Sequence, residues 1–368
     1  MQRTRLDFGL DTQCRTIILM LPLLKLFKKS KSNSFFGATF NSGSINLVLF
    51  KDGYPLHYAQ AHLTSGVVLD GRVVDREHFT QSLNVCVERL LSQLPEENPK
   101  EIFFGVGGNN CVGNTTTARQ KLDPQNKISR NILMGIYKEI GQSGMNEALE
   151  EIYQNAGNRD AQPENILNET TSIRLDGQVV YNPVGQSGEL LEIQVFNAYC
   201  VPTYIDALED VARGLKMELG GVFPLSYLLF KKLKGKLGAN YDATNLSIHS
   251  DFTDVSVVFG GNLVKNKTLP LGTTSLEKDL DFWMDGLELA FLEFSGVKTF
   301  ASNVYVCGSG LERTDFWEML EWREWEEKIP FKTKPTFTKL DTGFVDLPQE
   351  YKGDLLMCGL LSICKELV

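Results

Sequence analysis

This 368-residue chain is short of histidine, of paired cysteine, of basic charge and of long apolar runs. Its four histidines (His57, His62, His78, His249) are not grouped with cysteines or carboxylates at ligand spacing, so no metal site is expected. The seven cysteines (Cys14, Cys86, Cys111, Cys200, Cys307, Cys358, Cys364) stand singly, without the Cys-x-x-Cys spacing of metal or redox sites. They read as small buried hydrophobes of a reducing cytoplasm. Lysine and arginine number 37 against 46 acids, a formal charge of −9, which argues against a nucleic-acid partner because phosphate contact calls for a basic surface. The longest nearly uninterrupted apolar run, Ile17–Leu24, falls far short of the roughly 20 residues a bilayer requires. No Ser-His-Asp, Cys-His or paired-carboxylate arrangement offers an active site. What is present is an ordinary 42% of apolar residues, in a chain long enough for two or more domains.

One pattern occurs twice. Phe36–Phe40, the polar turn Asn41–Ser44, the apolar run Ile45–Phe50 and Asp52-Gly53 form the first copy. Leu246–Ile248, His249–Phe252, Val255–Phe259 and Gly260-Gly261 form the second. Asp-Gly and Gly-Gly between apolar runs supply the positive φ of type I′ turns, so two related β-hairpins are predicted.

Periodicity organises the rest. Phe79, Leu83, Val87, Leu90 and Leu94 have helical spacing, and a strand is expected at Glu101–Val106. Helices follow near Ile128–Gly141 and Asn146–Ala156, then a breaker-rich loop over 157–170 and strands at Thr171–Leu175 and Val179–Tyr181. Leu191–Val201 reads as a strand, Pro202–Leu215 as a helix, and Gly220–Val222 as a short strand leading into Pro224–Leu233. The second hairpin continues through Leu263–Leu271 to a Gly272–Thr274 turn, and Asp354–Val368 reads as a closing core helix. Asp70, Asp75 and Asp254 read as turn, cap or hairpin residues.

Two sequence segments invite contact readings. Leu23, Leu24, Leu26 and Phe27 interleave with Lys25, Lys28 and Lys29, a composition suited to an interfacial membrane anchor. The same segment also fits a partner contact or a plain leader, and a third reading starts translation at Met20 and leaves residues 1–19 without function. Trp317, Trp322 and Trp325 lie in the charged stretch Asp315–Lys328, either as a partner surface or as an aromatic stripe packed inward.

Duplicated hairpins about two hundred residues apart resemble the actin, Hsp70 and sugar-kinase superfamily. Asn182-Pro183-Val184-Gly185-Gln186-Ser187-Gly188 is similar to the Asn-Pro-Val-Gly-x-Ser-Gly run of FtsA. Gly66–Asp75 resembles the segment that introduces the insertion specific to FtsA and PilM, and Leu23–Ser30 resembles the start of PilM proteins. The resemblance to this family of bacterial actin-like proteins implies an α/β fold of duplicated actin-like (ribonuclease H-like) domains with a small α+β SHS2-like insertion. It divides the chain into a leader (1–34), subdomain 1A (35–87 and 191–244), the insertion 1C (88–190) and subdomain 2A (245–368). Subdomain 2B is reduced or missing, its place taken by remnant helices at 273–303.

In that family the hairpin turns hold nucleotide: backbone N–H groups close on phosphate and an Asp manages Mg²⁺. Here Thr39 and Ser247 stand at the Asp positions, and His249, Ser250 and Asp251 replace glycines. The expected cleft therefore comprises Thr39, Asn41, Ser42, Gly43, Ser247, His249, Ser250, Asp251 and the turn Gly308-Ser309-Gly310, degenerate for ATP, with no cofactor. The resemblance then implies a non-catalytic scaffold, a pseudo-ATPase, in the cytoplasm or at the inner membrane face. Its partners would be division or pilus-assembly proteins, such as the short peptide tail of a membrane protein, with self-association open. Two alternatives stand: an ATP- and Mg²⁺-binding polymerising actin homologue with unusual phosphate loops, and a soluble interaction module without a membrane role.

Overall fold

The computed structural model describes residues 34–69, 71–156, 162–294 and 296–367. The leader and Asp70 lie outside them.

The first hairpin is β1 (Ser34–Phe40) and β2 (Ser44–Lys51). Phe35, Phe36, Ala38, Ile45 and Leu47 through Phe50 are fully buried, as expected of strands covered on both faces. Asp52 and Gly53 adopt φ of 53° and 79°, the left-handed values a two-residue turn demands, and lead into β3 (Tyr54–His62). Two short strands, β4 (Val68–Leu69) and β5 (Arg72–Val73), precede helix α1 (Arg76–Gln93), whose N-cap Asp75 accepts the backbone N–H of His78. Strand β6 (Glu101–Val106) then pairs parallel with β1.

Next comes an appended unit of β7 (Cys111–Lys121), α2 (Arg130–Ala156), β8 (Glu164–Leu175), β9 (Gln178–Val179) and β10 (Leu190–Cys200). Helix α3 (Pro202–Gly214), β11 (Glu218–Pro224) and α4 (Leu225–Leu237) complete the first half. The second half holds β12 (Ala243–Ile248), β13 (Thr253–Phe259), β14 (Asn262–Leu269), α5 (Thr273–Lys278), α6 (Leu280–Leu292) and β15 (Asn303–Gly308). It continues through α7 (Thr314–Trp322), α8 (Trp325–Lys328) and β16 (Thr336–Lys339), and the chain closes with α9 (Asp354–Gly359) and α10 (Cys364–Leu367).

The duplication is visible in the sheets. One has the order β11-β6-β1-β2-β3, and the other begins β16-β15-β12-β13-β14. In each, an antiparallel hairpin sits beside two parallel strands, so β12–β13 matches β1–β2 and β15 matches β6. The hairpins thus lie in separate sheets. Residues 273–303 carry two helices whose buried Leu276, Trp283, Met284 and Leu287 share a core with the second sheet's Leu246, Val255 and Val306, not a core of their own.

The structure corrects several boundaries. The second sheet continues past β14 into β7-β10-β8-β9 through the Lys265–Asn114 pairing, so the appended unit is a sheet extension spanning about 111–200. Residues 88–106 belong to the first half, because β6 lies in its sheet and the buried side of α1 joins its core. Strand β10 belongs to the appended unit, paired along both edges with β7 and β8. The helices expected at 128–141 and 146–156 are one, since Gly141 and Gly144 do not break α2; Gly144 instead lets it approach Tyr199 and Thr116. The loop expected over 157–170 gives way to strand from Glu164, where β10 supplies the partner. From Leu340 the chain returns to the first core: Cys358 Sγ contacts the carbonyls of Gly37 and Asn46, so the last residues close the first half rather than 2A.

The six described cysteines are buried and unpaired, and Cys14 is outside the described residues. Among the described residues no helix is long and apolar enough to cross a membrane, and no metal-type cluster occurs.

Candidate functional site

The two hairpin turns meet. On the first, Asn41 folds the chain back on itself, its Oδ1 accepting the N–H groups of Gly43 and Ser44 at 2.8 Å each. Across the cleft the Asp251 carboxylate takes both donors of Ser42: the backbone N–H at 2.8 Å and the hydroxyl at 2.5 Å. Asn41 Nδ2 reaches Asp354 Oδ2 at 2.8 Å, and the Ser250 hydroxyl donates to the same oxygen at 3.2 Å. Asp354 sits in the first turn of α9, where a carboxylate also suits the helix N-terminus.

Behind this layer lies His249, 5% exposed, its ring tilted by 30° against Phe252 at 4.4 Å between centroids. Its Nδ1 is 3.9 Å from Asp354 Oδ1 and its Nε2 3.9 Å from Asp254 Oδ2, too long for direct hydrogen bonds. Burial holds the imidazole below its usual pKa and raises the carboxyls of Asp254 and Asp354, because desolvation disfavours each charged form. His249 Nε2, Asp354 Oδ1 and Asn46 Nδ2 are buried without a hydrogen-bond partner. The space they border, between the halves, is about 10 Å³. That is room for about one water, against the roughly 300–1,000 Å³ of a small-molecule site. Phe252 closes it against Gly107, where an added Cβ would come within 2.8 Å of the ring. No lysine or arginine lines it.

The sequence-predicted residues divide accordingly. Asn41, Ser42, Ser250 and Asp251 form the bridge; Thr39 and His249 line the residual space; Gly43 sits exposed on the turn. Ser247 is turned to the neighbouring strand, 3.5 Å from Cys307 Sγ. Gly308 has φ of 112°, and a Cβ there would lie 1.9 Å from the Ile248 carbonyl oxygen, so this glycine serves close strand packing. Ser309 N–H caps that carbonyl at 2.8 Å, and Gly310 approaches Thr273.

Asp354, Asn46 and Gly107 were not singled out in the sequence; an acid opening the apolar C-terminal helix was the one available signal for Asp354. Asp254, read as a turn, cap or hairpin residue, is a buried residue of the hairpin strand β13 whose carboxylate accepts the Thr268 hydroxyl at 2.6 Å. The tryptophans do not form one stripe, because the helix breaks at Arg323-Glu324: Trp325 is 2% exposed, Trp317 packs on the second core, and Trp322 is 79% exposed. The segment Leu23–Lys29, with Leu24, Lys25, Leu26, Phe27 and Lys28, lies outside the described residues.

No protein-family model matches the chain, and no curated protein does. Among solved structures it is similar to a chain of the PilM–PilN type IV pilus biogenesis complex, with TM-score 0.60 at 11% identity over 90% of this chain and 97% of that one. The fold is actin-like. Looser likenesses are to the ethanolamine utilization protein EutJ from Carboxydothermus hydrogenoformans (TM-score 0.43, 13% identity, 95% and 96% covered) and the cytoplasmic domain of EpsL, an inner membrane component of the type II secretion system of Vibrio cholerae (0.37, 9%, 90% and 94%).

Proposed function

We propose that this chain is a non-catalytic actin-like adaptor that assembles with a partner protein at the inner face of a membrane, in a pilus- or secretion-type machine. The observation that carries the reading is the filled cleft. A nucleotide needs donors for its phosphates, a cation and a stacking slot together. Here a carboxylate occupies the first turn's donors, and the cavity bordered by Asn46, His249 and Asp354 holds about 10 Å³. The likeness to a chain from an assembly of two pilus proteins supports a partner-binding role. So does the appended unit, whose long strand β8 has, among the described residues, a second strand partner at Arg174 and Leu175 alone, an edge suited to strand addition by an extended peptide tail. The lysine-rich leader segment Leu23–Lys29 would add membrane attraction.

The decisive experiment is calorimetry of the full chain with Mg-ATP. No complex tighter than about 1 mM is expected, and a one-to-one complex below that, roughly −4 kcal/mol or better, would overturn the reading. Hydrogen exchange along β8 should slow when a bound partner tail is added.

A further inference from the structure

We propose that the turn Asn41–Ser44 is an anion receptor whose resident ligand is the chain's own Asp251 carboxylate, so that the two halves are latched shut without any bound molecule. The receptor is built before the ligand arrives. Asn41 Oδ1 consumes the N–H groups of Gly43 and Ser44, which fixes the turn and leaves the Ser42 N–H and hydroxyl directed across the cleft. Each carboxylate oxygen of Asp251 receives one of these donors, the two-point geometry that gives charge-assisted hydrogen bonds both strength and direction. Neither Asp251 nor Asp354 has a lysine or arginine ion pair among the described residues, so their attachment across the cleft rests on these neutral donors.

The backbone of the Asp251 turn is itself immobilised. His249 N–H donates to the Phe252 carbonyl at 2.9 Å, and the N–H groups of Thr273 and Thr274 bond the carbonyls of His249 and Ser250 at 2.8 and 3.2 Å. A Cβ on Gly272 would collide with that turn. Asp251 is thus presented by a rigid second half to a rigid turn of the first, and the bond reports on the distance between halves. The inference rests on the filled cleft described above but not on which partner the chain serves.

The test is hydrogen exchange on the full chain, read at the amides of Ser42 and of the 249–252 turn, for wild type, Asp251→Ala and Asp251→Asn. Losing a two-point charged contact should speed exchange there roughly tenfold or more in Asp251→Ala, with the strand amides of β2 and β13 unchanged. The isosteric Asn, keeping one acceptor, should fall between and guards against a misfolded alanine variant. Inorganic phosphate should slow the Ser42 amide again in Asp251→Ala but not in wild type. Unchanged exchange in both variants, or equal phosphate protection of wild type, would overturn the latch. Nucleotide binding by the wild-type chain is a separate readout that bears on the adaptor reading instead.

Discussion

Phe252 offers the sharpest test of how the halves are packed. Its ring lies between His249 and the Gly107–Gly108 turn and is 9% exposed, so Phe252→Ala removes an apolar plug from the cleft. Buried Phe→Ala changes cost about 3–5 kcal/mol. A ring at the rim of the cleft belongs at the lower end, about 3 kcal/mol. With an unfolding entropy of about 2.1 cal/mol/K per residue, that lowers Tm by roughly 4 °C in calorimetry. The reciprocal change is Gly107→Ala. Its backbone is extended at φ −138°, so alanine is not strained there and the cost is the collision of Cβ with Phe252 and with Asp254 Oδ2, each at 2.8 Å. Overpacking of this kind costs about 1–3 kcal/mol. In the Phe252→Ala background most of that collision disappears, so the double variant should be more stable than the sum of the singles implies, by about 1 kcal/mol. If the two changes add, or if Phe252→Ala leaves Tm within about 1 °C, the ring does not join the halves as argued.

Stability should also depend on pH through His249. Its folded pKa lies below the ordinary 6.5, so its contribution is present above that value and is lost as pH falls and the unfolded chain takes up a proton. Wild type should therefore lose more Tm than His249→Asn between about pH 7.5 and 5.5. The raised carboxyls of Asp254 and Asp354 titrate in the opposite sense, and because the His249 charge lowers Asp254 the difference between the two proteins reports the ring together with that coupling; parallel curves would refute the burial argument. Gly308→Ala, forcing a Cβ onto the Ile248 carbonyl, should cost about 4 kcal/mol or more and be seen as loss of folded protein on expression. Trp325→Ala should cost about 3–5 kcal/mol and Trp322→Ala within about 0.5, measured by urea unfolding; the reverse order would put the wrong tryptophan in the core.

The hairpins, and with them the duplicated architecture, were legible because each is a local code. Asp52-Gly53 and Gly260-Gly261 take the left-handed φ values their turns need, and the runs beside them, Ile45–Phe50 and Val255–Phe259, are apolar at all but Asn46 and Ser256. That Asn41–Ser44 and His249–Phe252 are turns was legible too, from their polar, turn-forming residues. Local pattern could not say which sheet a strand joins. Strand β10 suits either half, and only its pairing with β7 and β8 commits it to the extended second sheet. Two helices were expected where α2 is one, and that continuous helix runs across Gly141 and Gly144 because the packed sheet stabilises it. Asp354, more than three hundred residues from Asn41, becomes its hydrogen-bond partner only because the C-terminal helix returns to the first half. The identity of the turns was written in the sequence; that one turn holds the other's carboxylate follows from bringing together groups that no sequence spacing relates.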